Sequence, residues 1–392
     1  MSVTDIGSAK VGLFPEMISD GPQLRTTGIL PSQAIKDLLA NRRVFASPEV
    51  GEEQIQPASL DLRLGDMAHR VQASFLPGPK STVEEKIRQS RMTRVDLTRS
   101  TVFEKGCVYI VPLLEEVNLP ADISARANPK STTGRLDIFT RLITDYGVEF
   151  ERVPAGYKGK LYAEIVSRTF TVGVRAGMRL NQLRFIRGNP PSPDSVLSML
   201  DEEQRLVFLD EDNPVKAQID RGLKITVNLR ATDDTGIVAY KAKRNAPAIH
   251  LDKINHYSPE EFWEIKRESE GKSIILDPSD FYILASREKV RVPPDYAAEM
   301  VAFDPSMGEF RIHYAGFFDP GFGYGASDIK GTRAVLEVRA HEVPFMIDHA
   351  QVVGRLVYAH LLSLPDKIYG LGIGSSYQKQ ALTLSKQFRR TE

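Results

Sequence analysis

Residues 109–122 read YIVPLLEEVNLPAD, and residues 282–295 read YILASREKVRVPPD. Tyr109, Val117, Pro120 and Asp122 recur as Tyr282, Val290, Pro293 and Asp295, each 173 residues on. Self-similarity at a fixed offset is the mark of a repeated structural unit. The offset returns downstream. LYAEIVS (161–167) places Glu164, and AVLEVRA (334–340) places Glu337, each 42 residues past the matching Asp. Phe185 and Tyr358 each follow 21 residues later.

Earlier blocks also pair. The stretch SQAIKDLLANRRVF from Ser32 matches SVLSMLDEEQRLVF from Ser195, and both read as short amphipathic helices. In the first, Ile35, Leu38 and Leu39 share one face, with Ser32 as the expected N-cap. ASLDLRLGD (58–66) is matched with ITVNLRATD (225–233); both alternate apolar and polar residues like half-buried strands. Between the copies lies GNPPSPD (188–194), whose three prolines suit a stiff linker. The expected division is therefore 1–190 and 191–392, with tails at both ends. Each copy is helix first, then many short strands. The expected fold is mainly β with short helices, two tandem distorted β-barrels or sandwiches.

Lys+Arg and Asp+Glu number 51 each, so no basic excess is available to coat a nucleic-acid polymer. The one cysteine, Cys107, allows no internal disulfide, and its apolar neighbours make it a core residue. No apolar run is long enough for a membrane-crossing helix, and residues 1–25 lack a secretory pattern. Those readings point to a cytoplasmic protein with no membrane partner. GFGYG (321–325) reads as a hairpin turn and Trp263 as a helix anchor.

With these blocks assembled, PASLDLRLGD, NLPADISARANPKSTTGRL, VPAGYKGKLYAE and VRAGMRLNQLRF together resemble the dCTP deaminase family, which shares its fold with dUTPase. Copy two matches more loosely, through FFDPGFGYG and AVLEV. The resemblance implies two dUTPase-like units and hydrolysis of dCTP to dUTP and ammonia. It implies Glu164 as the group that moves protons, with Glu337 as its counterpart. Arg135 would offset developing charge, and Ser131 would orient water or bind phosphate. Lys130, Thr132, Arg152 and Gln182 would bind substrate, together with Asp319 of copy two. The tail SSYQKQ resembles the family's C-terminal segment and places Tyr377 and Gln380 over the nucleotide. Magnesium would arrive on the triphosphate. Zinc deamination needs H-x-E and P-C-x-x-C, and one cysteine cannot supply the second motif. Copy one departs from the family at Pro154, where an Asp is usual; copy two departs at FDPSMGEF, where the Ser/Arg loop belongs.

Single-copy relatives, by the same resemblance, form threefold rings with sites between barrels. A homotrimer is therefore expected. Sites could lie between like copies, joining Ser131 and Arg135 to Glu164. They could instead lie between unlike copies, joining that loop to Asp319 and Glu337. The symmetry of a three-membered ring favours the first. Two rival functions stay open: dUTP diphosphohydrolysis with Asp319 as base, and nucleotide binding without turnover.

Overall fold

The computed structural model describes residues 25–209, 212–301, 310–312, 316–325, 328–340, 342–370 and 381–390. The chain is mainly β, with five short α-helices among the described residues, and no helix is long and apolar enough to cross a membrane. The expected N-terminal tail lies almost wholly outside the described residues.

The two copies share one strand plan. In copy one, strand Val108–Asn118 pairs antiparallel with Lys158–Ser167, setting Glu164 opposite Ile110. In copy two, Tyr282–Val290 pairs with Thr332–Ala340, setting Glu337 opposite Ile283. Both partners are offset by 173, so the two glutamates occupy the same place in the fold. Two buried carboxylates repeat as well. Glu115 Oε2 accepts from the Arg63 amide at 2.7 Å, and Glu288 Oε2 accepts from the Thr226 amide at 2.8 Å.

One block match needs correction. Leu60 pairs with Leu183, and Leu223 pairs with Leu356. Leu60–Arg63 therefore corresponds to Leu223–Thr226, at an offset of 163, not to the stretch four residues later. A strand repeats every two residues, so a slip of four leaves the inward and outward pattern unchanged and is invisible in sequence. The true register puts Lys224 where copy one has Asp61. The helices Ser32–Ala40 and Asp194–Gln204 stand near the start of each copy, the first of them preceded by the short strand Gly28–Ile29. Pro31, not Ser32, sits at the first N-cap; Ser32 is buried and donates to Asp366.

The linker divides the chain but not the core. Strand Ile249–His250 of copy two pairs in parallel with Val172–Val174 of copy one. Phe170 of copy one meets Phe262 and Trp263 edge-on, with ring centres at 6.0 and 5.5 Å. Phe388 also meets Phe262 and Trp263 edge-on, with ring centres at 5.4 and 5.8 Å. Trp263 thus begins a strand and fills the shared core rather than anchoring a helix. Cys107 is half-buried at the edge of that core, less enclosed than expected.

A fully buried Trp removed to Ala costs about 3–5 kcal/mol. Trp263→Ala should lose about that much in a denaturant titration, and a loss below about 1 kcal/mol would contradict a packed junction.

Candidate functional site between the copies

Copy one contributes a turn. Strand Ile123–Pro129 ends at Pro129, and Ser131–Gly134 form one helical turn whose Thr133 and Gly134 amides donate to the Lys130 carbonyl. The Thr133 hydroxyl ties this turn to the Leu180 carbonyl at 3.0 Å. Arg135 ends it, almost fully buried, and donates to the Thr383 carbonyl at 3.0 Å. Ser385 donates to the Thr132 carbonyl at 2.9 Å, so the C-terminal segment braces the turn from outside.

Copy two contributes a strand and a hairpin. Thr332–Ala340 is buried along its whole length, and Glu337 is 5 % exposed. Burial pushes its carboxyl up to about 8, against the pull of the Arg135 guanidinium and a backbone hydrogen bond. Asp319 follows strand Phe317–Phe318, and its side chain is 11 % exposed. Burial raises its carboxyl too, opposed by Arg184 and Lys130. The GFGYG stretch is a turn, as expected. Gly323 has φ +62°, and a Cβ there would lie 2.1 Å from the Val290 carbonyl oxygen, so the turn needs glycine.

Turn, strand and hairpin enclose a cavity of about 580 Å³, counting the part open to solvent. Ser131 and Arg135 line one side; Asp319, Glu337, Phe317 and Tyr369 line the other. The Ser131/Arg135 turn therefore faces copy two of its own chain, the side-by-side alternative.

Glu164 lies elsewhere. It is 1 % exposed, and its Oε1 meets Arg141 Nη2 at 2.5 Å and Nε at 3.1 Å. Arg141 in turn stacks over the Phe150 ring at 3.5 Å and donates to Ser74. The cation beside Glu164 is thus Arg141, its cross-strand neighbour, and not Arg135. Of the other expected residues, Lys130 stays near enough to the cavity for its charge to act on Asp319. Lys130 is held by Asp61 at 2.5 Å. Arg152 is exposed and pairs with Glu149. Gln182 is buried opposite Asp61, within 3.5 Å of Ser59. Thr132 is half-buried behind Ser131. Tyr377 and Gln380 lie outside the described residues.

Residues 26–189 match the family model of the 2'-deoxycytidine 5'-triphosphate deaminase N-terminal domain, and residues 193–388 match that of its C-terminal domain. The chain belongs to the dCTP deaminase family. It is similar to the crystal structure of 2'-deoxycytidine 5'-triphosphate deaminase from Agrobacterium tumefaciens, with 49 % identity and a TM-score of 0.82 over 86 % of this chain and 100 % of that one. A "dCTP deaminase, dUMP-forming" from Methanosphaera stadtmanae is 30 % identical over 167 residues, 42 % of this chain and 81 % of that protein. A "dCTP deaminase" from Halorubrum lacusprofundi is 29 % identical over 196 residues, 49 % of this chain and 91 % of that protein. Matches spanning most of those two relatives take up less than half of this dCTP deaminase family member, which is a doubled chain.

Sequence reasoning missed Arg184, Phe317 and Tyr369 of this family member. Arg184 leaves copy one to donate to the Ala298 carbonyl at 3.0 Å, stacks over Phe317 at 3.9 Å and meets Asp319 at 3.4 Å. It stands directly before Phe185, but only the packing of unlike copies reveals its target.

The Glu337 shift has a consequence for stability. A carboxyl raised in the folded state contributes fully below its unfolded value near 4.5, and that contribution is lost as pH rises towards about 8. Glu337→Gln lacks this loss. Its melting temperature relative to the unsubstituted protein should therefore climb between pH 5 and pH 8.5; a flat difference across that range would contradict the shift.

Proposed function

We propose that this chain hydrolyses dCTP to dUTP and ammonia in the cavity between its copies, with Glu337 moving the protons. One observation carries the reading: a buried carboxyl pushed to about 8 beside a buried guanidinium, both lining a partly open cavity of mixed polar and apolar walls. A general acid–base works best with a pKa near the working pH.

The chemistry then follows. Ionised Glu337 takes a proton from water as its oxygen adds to carbon 4 of the cytosine ring, and hands that proton to ring nitrogen 3. The hydroxyl of the adduct later gives a proton, by way of Glu337, to the departing amine. Ammonia leaves, and a carbonyl forms at carbon 4. The fixed charge of Arg135 offsets negative charge as it builds. Ser131, at the mouth of the cavity, orients the water or a phosphate oxygen. Phe317 and Tyr369 form walls that keep bulk water from the ring. Asp319, steadied by Arg184, is assigned to the nucleotide. Magnesium belongs to this reading as part of the triphosphate substrate. A cytoplasmic homotrimer is the assembly we expect, now with each chain furnishing a whole site.

Glu164 has the same fold position, but it is buried and tied to Arg141, which stacks on Phe150. Copy one is therefore assigned no turnover. A second reading, release of pyrophosphate from dUTP with Asp319 as base, is favoured by the buried, raised carboxyl of Asp319 and by relatives named dUMP-forming.

Glu337→Gln should lower ammonia release from dCTP by about 10²- to 10⁴-fold while nucleotide binding persists, at one dCTP per chain. Glu164→Gln should stay within about threefold of full activity, well below the loss expected for an acid–base group. The opposite ranking would move the site to copy one, and pyrophosphate in the product would establish the second activity. Sedimentation equilibrium should give three times the 43.8 kDa chain mass, and a single-chain mass would remove the trimer.

A further inference from the structure

Two residues past Arg135 stands Asp137, and two residues past Glu337 stands Arg339. On a strand, residues two apart share a face, so Arg339 lies beside Glu337 on the side turned towards copy one. Asp137 is fully buried, and Arg339 is 4 % exposed. They form an ion pair across the junction of the copies. Arg339 Nε donates to Asp137 Oδ1 at 3.3 Å, and Nη2 donates to Oδ2. The same Nη2 lies 2.7 Å from the Thr169 hydroxyl, which is itself 2.6 Å from Asp137 Oδ2. Nη1 donates to the Ser279 carbonyl. The guanidinium is thus held by both copies at once. Asp137 has φ +55°, a conformation uncommon outside glycine, so the turn bends sharply to deliver this carboxylate.

A two-pronged guanidinium–carboxylate contact fixes orientation as well as distance. This one sits one alternation away from the pair that matters for catalysis. Copy one carries Val166 at the place of Arg339, so the device belongs to the junction and not to the repeat.

We infer that Asp137 and Arg339 are positioning residues: their buried clamp sets Arg135 against Glu337 and so sets the proton balance of the deamination. The inference rests on the assignment of Glu337 above. Arg135, Asp319 and Tyr369 are the other titratable or charged side chains lining the cavity with Glu337, and Arg135 is the charge that acts on its carboxyl. If the clamp relaxes, Arg135 draws back and its pull on the Glu337 carboxyl weakens.

The test uses the full chain in three forms. Arg339→Lys keeps the charge but loses the fork. Asp137→Leu with Arg339→Met removes both charges, so that neither is left buried alone. Glu337→Gln is measured beside them. For each folded variant, kcat and KM for dCTP are followed from pH 5 to pH 9. We expect the clamp variants to lose about 10- to 100-fold in kcat, as misplacement by about 1 Å does, with KM changed less than about threefold. The acid limb of the kcat profile should move to higher pH. A purely structural pair would lower the melting temperature and leave kcat and the limb unmoved; that result in Arg339→Lys overturns the inference, whether or not the double variant folds. Full turnover in Glu337→Gln would instead overturn the assignment beneath it, independently of the clamp.

Discussion

The aromatic cluster around Trp263 is built from both copies, and burying it decides how the copies sit. A buried aromatic side chain removes about 150–250 Å² from water, about 4–6 kcal/mol each at the usual coefficient. Phe170, Phe262, Trp263, Phe281 and Phe388 all lie at 3 % exposure or less. No arrangement that separates the copies keeps these rings dry. With the copies docked, the turn of copy one meets the strand of copy two, and Arg135 reaches the cavity that holds Glu337. The site is a by-product of core burial.

Much of this was legible in the residues. The offset of 173 named the two equivalent glutamates, and the registers Ile110–Glu164 and Ile283–Glu337 bear it out. The helix-then-strands order and the family also came through. The residues also offered the loop of copy one facing Asp319 and Glu337, but nothing in them could choose that arrangement over one joining like copies. A symmetry argument joined Arg135 to Glu164 because it treated the copies as members of like rings. Arg141 went unnoticed because only a strand register places it beside Glu164. The four-residue slip at Leu223–Thr226 arose because alternation by two carries no information about which repeat is which.

The two copies show how a duplicated site diverges under simple electrostatics. A buried charge must be paired or neutral. Copy one answers with Arg141 against Glu164, packed under Phe150. Copy two leaves its glutamate beside a guanidinium borrowed from the other half, with cavity in front of it. Asp61 and Lys224, at equivalent positions, have taken opposite charges. Neither change disturbs the strand pairing, so the fold survives while the surroundings of the two glutamates diverge.

The bracing of the Ser131–Gly134 turn also has a temporal side. The Arg135–Thr383 and Thr132–Ser385 bonds join residues 248 and 253 positions apart. During synthesis the turn is made early and waits for partners from far along the chain. Contacts this distant in sequence form late in folding, after the local pairings. A chain halted within copy two would already carry Arg135 and yet leave its turn unbraced. Bracing of the turn beside the cavity therefore waits until Thr383 and Ser385 have been made.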